Sequence, residues 1–140
     1  MTLKTKILRE GAILPTRARP GDAGLDLYAA EDVVFFGNVS RSVPFGFALE
    51  IPEGYCGLLF VRSSLATKHG ICLANGVGLI DSGYRGELIA TLVSRYQCNI
   101  SKGARVAQLV IMPYCCVDVE VVSELAPSER GEGGFGSTGR

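Results

Sequence analysis

A glycine-rich segment at residues 130–140 contains side chains that could bind a nucleotide. Its sequence, RGEGGFGSTGR, sets one aromatic ring and two hydroxyl groups among five glycines, with an arginine at each end. Exposed backbone N–H groups, arginine and hydroxyl donors suit a chain of phosphates, and an aromatic ring suits a base. Composition alone favours a disordered Gly/Ser tail. The rest of the sequence must decide between these two interpretations.

Four other segments combine polar residues with glycine or small residues in ways that folding alone does not require. Taken one at a time, each has an ordinary structural explanation, because Asp26 and Asp81 can accept hydrogen bonds in turns and Asn75 can start a hairpin turn. Isolated motif matches of this kind carry a real risk of being false. The segments are 23–27 (AGLDL), 62–66 (RSSLA), 75–86 (NGVGLIDSGYRG) and 103–108 (GARVAQ).

Length and composition narrow the possible classes of protein. A chain of 140 residues with 47% hydrophobic content predicts one globular domain with its own core. A formal net charge of zero argues against a nucleic acid polymer as partner, whereas a small anion needs only a few local arginines. Five cysteines without Cys-x-x-Cys spacing, and His69 as the one histidine, argue against a disulfide scaffold or a zinc site. With no apolar signal core or bilayer-length run, we expect a cytoplasmic protein with no membrane partner.

Hydrophobic periodicity predicts strands that would position these segments. Apolar residues alternate with others over 42–51 and again over 116–121, which predicts two strands that each bury one face. The near-continuous apolar runs 57–61, 88–93 and 106–112 are short and rich in branched residues, so we expect strands buried on both faces. Glycine-containing turn signals separate these runs, and the pattern indicates an all-β barrel or sandwich.

One segment is predicted to be helical. Residues 64–69 have a hydroxyl at their start that could serve as an N-cap, and Gly70 follows as a C-terminal signal. Such a helix start can attract phosphate. A linker-like stretch at 123–129 then joins the last predicted strand to the glycine-rich segment.

Taken together and in this order, the five segments resemble the five motifs of the homotrimeric dUTPase family, the deoxyuridine triphosphate nucleotidohydrolases. The resemblance extends from about Asp22 to Arg140. It implies an all-β, distorted jelly-roll-like barrel over 1–129 with one short helix, and a flexible glycine-rich arm over 130–140 that closes over the active site. It also implies a homotrimer with shared active sites that hydrolyses dUTP to dUMP and pyrophosphate. That reaction limits uracil incorporation into DNA and supplies dUMP for dTMP synthesis.

The resemblance assigns the chemistry to few residues. Asp81 would be the general base that takes a proton from the water attacking the α-phosphorus in line. The cofactor would be Mg²⁺ on the triphosphate oxygens, reached from Asp26 through water. Asn75 would contact the uracil edge, Tyr84 would lie under the deoxyribose, and Phe135 would stack on the base. The full substrate-binding set implied by the resemblance is Arg62, Ser63, Ser64, Asn75, Gly78, Tyr84, Gln108, Arg130, Phe135, Gly136, Ser137 and Thr138.

Two departures from the family pattern leave questions open. Ala104 stands where the family commonly has an acidic residue, so Arg105 has no expected neighbouring partner. Gly83 stands where many members have a second aspartate.

Three alternatives also remain. A dCTP deaminase would need a glutamate near Thr91, where the chain offers only Glu87 on the same face. A nucleotide-binding regulator would keep the fold without turnover, and an inert β-barrel would leave the glycine-rich segment unexplained.

Overall fold

The computed structural model describes residues 1–134, which form short antiparallel strands and one short helix. The strands pair into four sheets, of which the largest has the order β2-β11-β6-β8 and the next has the order β4-β9-β7. Two further pairs, β1-β5 and β10-β3, complete the arrangement. The elements are β1 (Lys4–Ile7), β2 (Leu25–Tyr28), β3 (Val33–Phe36), β4 (Ser40–Pro44), β5 (Phe47–Glu50), β6 (Tyr55–Val61), α1 (Ser63–His69), β7 (Ile71–Leu73), β8 (Gly78–Ile80), β9 (Ile89–Ser94), β10 (Gln97–Ile100) and β11 (Arg105–Pro113).

The inner faces of these sheets enclose one apolar core. Phe35, Phe45 and Phe47 are fully buried in it, together with aliphatic side chains from most of the strands. The predicted fold class is confirmed, because the chain forms an all-β, jelly-roll-like structure with one short helix.

The single strand predicted over 42–51 is wrong, because it is two strands in different sheets. The backbone bends at Gly46, whose φ of +80° lies in the left-handed region that favours glycine. Strand β4 therefore pairs with β9, whereas β5 pairs with β1. All residues from Val43 to Leu49 are buried, so the alternating pattern does not separate a core face from a solvent face.

The strand predicted over 116–121 is also wrong for the described chain. Strand β11 ends at Pro113, and the chain has no regular secondary structure from there to residue 134. Val117, Val119 and Val121 are 74%, 92% and 96% exposed. Alternating valines form a stable strand only beside a neighbour that pairs with the backbone and covers the apolar face. None of the strands within residues 1–134 pairs with this segment.

The predictions for the other three apolar runs are partly correct. They form β6, β9 and β11, as expected, and β6 and β11 lie inside the four-stranded sheet. In β9, however, Ala90 and Leu92 are buried whereas Ile89 and Thr91 are exposed. Burial on both faces is therefore wrong for β9, and also for β6, where Gly57 and Leu59 are buried whereas Phe60 is 38% exposed.

The predicted helix is present but begins differently. It spans Ser63–His69 with Arg62 at the N-cap, and no side chain caps it, so the hydroxyl N-cap is wrong. Gly70 does end it in the left-handed conformation. Across residues 1–134, no helix has the length and apolarity that crossing a membrane requires.

Candidate active site

One cavity brings together four residues that the sequence singles out. Asn75, Gly78, Asp81 and Tyr84 line a space of about 230 Å³ beside β8, together with residues of β6 and β9. We call this space the β8 cavity. Its shape depends on the segment 75–84, which carries all four residues.

The segment 75–84 is not a hydrogen-bonded hairpin, although Asn75 could start a hairpin turn. Strand β7 pairs with β9, and β8 pairs with β6, so the chain passes from one sheet to another between them. A tight turn with Gly76 at φ +75° makes this crossing, and the amide of Val77 donates to the carbonyl of Asn75 at 2.9 Å. The cavity is therefore a cleft between two sheets.

Close packing of β8 against β6 fixes the position of Asp81. A Cβ added at Gly78 would lie 3.0 Å from the Cβ of Leu59, and one at Gly57 would lie 3.3 Å from the Cβ of Ile80. Larger residues would push the two strands apart. Asp81 directly follows β8, is exposed, and accepts no hydrogen bond at its carboxylate from residues 1–134.

A second group forms around the buried carboxylate of Asp26, which is 2% exposed. Its Oδ1 accepts a hydrogen bond from Nε2 of Gln108 at 3.1 Å and lies 3.5 Å from Nε of Arg62. Its Oδ2 accepts from Nη1 of Arg105 at 3.2 Å. We call these four residues the arginine cluster. Asp26 and Gln108 meet because they are register partners of β2 and β11.

The arginine cluster answers the question that Ala104 leaves open. The partner of Arg105 is Asp26, on the neighbouring strand, and not an acidic neighbour along the chain. Sequence reasoning missed this pairing, although Arg105 and Asp26 both lie in segments that it singled out. Ser63 and Ser64 begin α1 directly after Arg62.

The β8 cavity and the arginine cluster lie far apart in one chain. Ile80 is the register partner of Gly57, so Asp81 is level with Cys56 at the start of β6, whereas Arg62 follows its last residue. Six positions of a strand span about 20 Å, since each residue advances about 3.3 Å. None of the four arginine-cluster residues lines the β8 cavity.

The predicted arm is only partly covered by the structure. Arg130 lies in an exposed turn, where its Nε donates to the carbonyl of Gly133 at 2.9 Å. Phe135, Gly136, Ser137 and Thr138 lie outside the described residues, so their predicted contacts with a nucleotide stay predictions.

Comparison with known proteins gives the family. The dUTPase family model matches residues 10–139. The deoxyuridine 5'-triphosphate nucleotidohydrolase of Clostridium tetani is 42% identical over 141 residues, covering 99% of this chain and 97% of that protein. The enzyme of the same name from Anaplasma marginale is 48% identical over 146 residues, covering 98% and 99%.

Solved structures agree with this result. The dUTPase of Staphylococcus bacteriophage 80alpha with dUpNHpp superposes with a TM-score of 0.91 at 32% identity, covering 99% of both chains. A mutant dUTPase from phage phi11 of S. aureus, described with a structural Mg(II) ion, has a TM-score of 0.81 at 30% identity and covers 89% of this chain and 98% of its own. The fold and sequence together define an enzyme of the nucleotidohydrolase class. The chain belongs to the dUTPase family.

We expect Asp26→Asn to destabilise the fold by about 1–3 kcal/mol, because it leaves two guanidinium groups without their shared counter-charge. The loss is smaller than for a fully buried pair, since Arg62 and Arg105 are 26% and 47% exposed and water screens them. Urea denaturation measures the change.

Glu53→Gln is the matched control, because it likewise replaces a carboxylate by its amide at an exposed position. Equal free energies of unfolding for the two variants would contradict a stabilising role for the arginine cluster.

Proposed function

We propose that the chain hydrolyses dUTP to dUMP and pyrophosphate in the cytoplasm, by Mg²⁺-assisted in-line attack of water on the α-phosphorus. This activity would limit uracil incorporation into DNA and supply dUMP for dTMP synthesis. The observation that carries the proposal is the β8 cavity, which combines a carboxylate, a ring and an amide side chain beside exposed turn backbone. Membership of the dUTPase family supports the choice of substrate.

The β8 cavity supplies the groups that would select the base and the sugar. Backbone groups of the turn around Gly78 and the amide of Asn75 would pair with the uracil edge. A buried polar edge rejects a base that leaves its donors unpaired, which is how large selectivity is obtained. Crowding by the turn would exclude a 5-methyl group, and the ring of Tyr84 would leave no room for a 2′-hydroxyl.

Asp81 would activate the water. Its carboxylate accepts the proton as the water oxygen forms a bond to the α-phosphorus, and the bond from that phosphorus to the oxygen bridging to the β-phosphorus breaks. The electron pair of that bond leaves with pyrophosphate. A carboxylate suits this role when the water lies within hydrogen-bond reach, and exposure of Asp81 at the cavity leaves room for one.

The arginine cluster would hold the triphosphate. A guanidinium has five N–H donors, and Asp26 engages only a few of those on Arg62 and Arg105. The others can donate to phosphate oxygens together with Gln108 and the hydroxyl groups of Ser63 and Ser64. Asp26 therefore orients the donors without cancelling both charges, since one carboxylate faces two guanidinium groups.

The residues present fit a water-mediated Mg²⁺. This ion keeps several of its own waters and is usually held by one or two carboxylates together with substrate phosphates. Within residues 1–134, no group of three His, Cys, Asp or Glu side chains could hold a metal ion. Asp26 is the only carboxylate of the arginine cluster, so it would meet the ion through water. The bound ion would neutralise phosphate charge and orient the α-phosphate.

The distance between the β8 cavity and the arginine cluster supports a homotrimer with shared active sites. The triphosphate of one nucleotide cannot reach an Asp81 that lies about 20 Å from Arg62 along β6. A neighbouring copy would supply the missing group, and a head-to-tail arrangement of three copies closes such contacts into a ring.

The carboxyl-terminal region supports the same assembly. The alternating exposed valines of 116–121 have the pattern of a strand that pairs with another copy. We propose that residues 1–129 form the barrel domain and that 130–140 form an arm closing over a neighbour's site. In it, Phe135 would stack on uracil, while Arg130, Ser137, Thr138 and the backbone at Gly136 would hold the phosphates.

The contacts of the Glu87 carboxylate favour the hydrolase over a dCTP deaminase. The β8 cavity has two carboxylates among its lining residues, Asp81 and Glu87. The Glu87 side chain is already bound by Arg9 and by the amide of Gly46. Thr91 carries no carboxylate for work on cytosine, so Asp81 is the carboxylate left for catalysis.

We expect pyrophosphate release from dUTP but not from dTTP, dCTP or UTP, and faster release with Mg²⁺ present. Asp81→Asn should lower kcat by at least about a hundredfold while the Kd for dUTP changes little, because the amide cannot accept the proton. A stopped assay for pyrophosphate and titration with dUpNHpp measure the two quantities.

Glu53→Gln serves again as the control and should keep normal turnover. Full turnover by Asp81→Asn would remove Asp81 from its assigned role. Ammonia release from dCTP would replace the hydrolase with the deaminase.

Deletion of residues 130–140 should leave a folded assembly but lower kcat/KM for dUTP by about a hundredfold or more, since the arm would supply phosphate donors and exclude water. The measurement pairs this assay with light scattering for the oligomeric state. Near-normal turnover of the truncated chain would rule out the arm as part of the site.

A further inference from the structure

Glu87 connects the β8 cavity to the amino-terminal segment. Its carboxylate accepts two hydrogen bonds from Arg9, from Nε at 2.7 Å and from Nη2 at 3.0 Å. The same carboxylate accepts the backbone amide of Gly46 at 3.0 Å. Glu87 is only 18% exposed. A paired, two-point contact of this kind fixes orientation as well as distance.

The backbone of Glu87 in turn holds Tyr84. The Tyr84 hydroxyl donates to the carbonyl of Glu87 at 3.0 Å. The ring lies across Gly86, where an added Cβ would come within 2.6 Å of Tyr84 Cζ. The position of the ring is therefore set by residues 86 and 87 and not by the apolar core, since Tyr84 is 46% exposed.

We propose that Arg9, acting through Glu87, is a positioning residue that sets the place of Tyr84 and with it the preference for deoxyribose over ribose. The inference rests on the proposed function, because it gives that site a determinant of sugar selectivity. Arg9 itself lines no part of the β8 cavity.

Further contacts fix Arg9 in the position from which it binds Glu87. Its Nη1 also donates to Glu31 at 2.7 Å, and its backbone amide donates to the carbonyl of Gly46 at 3.1 Å. The hydrogen bonds to Glu87 raise the pKa of the Arg9 guanidinium. Gly46 thus contacts both members of the pair, through its carbonyl to Arg9 and through its amide to Glu87.

The backbone hydrogen bonds of Leu88 hold the core without help from Arg9. Leu88 is fixed on both sides, because its carbonyl accepts the amide of Phe45 at 3.0 Å and its amide donates to Phe47 at 2.9 Å. These bonds do not involve Arg9. The Leu88 amide shares one planar peptide group with the Glu87 carbonyl, so loss of the Arg9 side chain should move that carbonyl only slightly and loosen chiefly residues 84–86, which carry the ring of Tyr84, while the core remains in place.

The test compares kcat/KM for dUTP and for UTP in the full chain. We expect Arg9→Gln to lower the ratio by about tenfold, chiefly by raising turnover of UTP and KM for dUTP, because a misplaced ring no longer fills the space of the 2′-hydroxyl. Arg9→Lys should lie in between, since lysine keeps the charge but cannot make the two-point contact.

Lys4→Gln is the matched control, because it removes another exposed ion pair of the amino-terminal segment, the 2.7 Å contact with Glu50. It should keep the wild-type ratio. An Arg9→Gln variant with a lowered melting temperature and an unchanged ratio would overturn the proposal.

A double-mutant cycle tests whether Arg9 acts through the tyrosine. Tyr84→Phe removes the hydroxyl that binds Glu87, so Arg9→Gln should lower the ratio by less than about twofold in that background. A full tenfold loss in the Tyr84→Phe background would overturn the proposed route. A wild-type chain that does not hydrolyse dUTP would overturn the proposed function itself, whereas normal hydrolysis with an unaffected ratio would overturn only the role of Arg9.

Discussion

The antiparallel register between β6 and β8 is the constraint on which the proposed site depends. It pairs Gly57 with Ile80 and thereby sets Asp81 level with the first residues of β6. Arg62 follows the last residue of the same strand and meets Asp26 there. A strand cannot shorten, so one chain carries the proposed catalytic carboxylate and the proposed phosphate donors at opposite ends of one rigid element. A site that uses both must be assembled from more than one copy.

Buried charge organises the arginine cluster. Asp26 is almost completely buried, and burying a carboxylate is costly unless cations and hydrogen bonds compensate it. Arg62, Arg105 and Gln108 supply that compensation. The same contacts fix the guanidinium groups before any ligand arrives, so binding a triphosphate would require little reorganisation. The Arg9–Glu87 pair has the corresponding effect on the turn that carries Tyr84.

The sequence predicts those structural features that depend on residues close together along the chain. Strands β6, β9 and β11 and the glycine end of α1 follow from local periodicity and turn chemistry. The break between β4 and β5 at Gly46 does not follow from this local pattern, because apolar residues continue on both sides of it. The partner of Arg105 lies 79 positions away and is brought near by the register of β2 and β11. The partner of Arg9 lies 78 positions away, and only the tertiary fold brings the two together. The exposed valines of 116–121 show the same limit, since their alternation predicts a strand but none of the strands in residues 1–134 pairs with them.

A complementation assay tests the shared site most directly. Asp81→Asn and Arg62→Gln chains, each inactive alone, are unfolded together and refolded as a mixture, and pyrophosphate release from dUTP is measured. If Asp81 and Arg62 of different copies form one site, about a quarter of the sites in a random equimolar mixture combine both intact residues and activity returns. If each chain forms its own site, the mixture stays as inactive as its components, which would contradict the account.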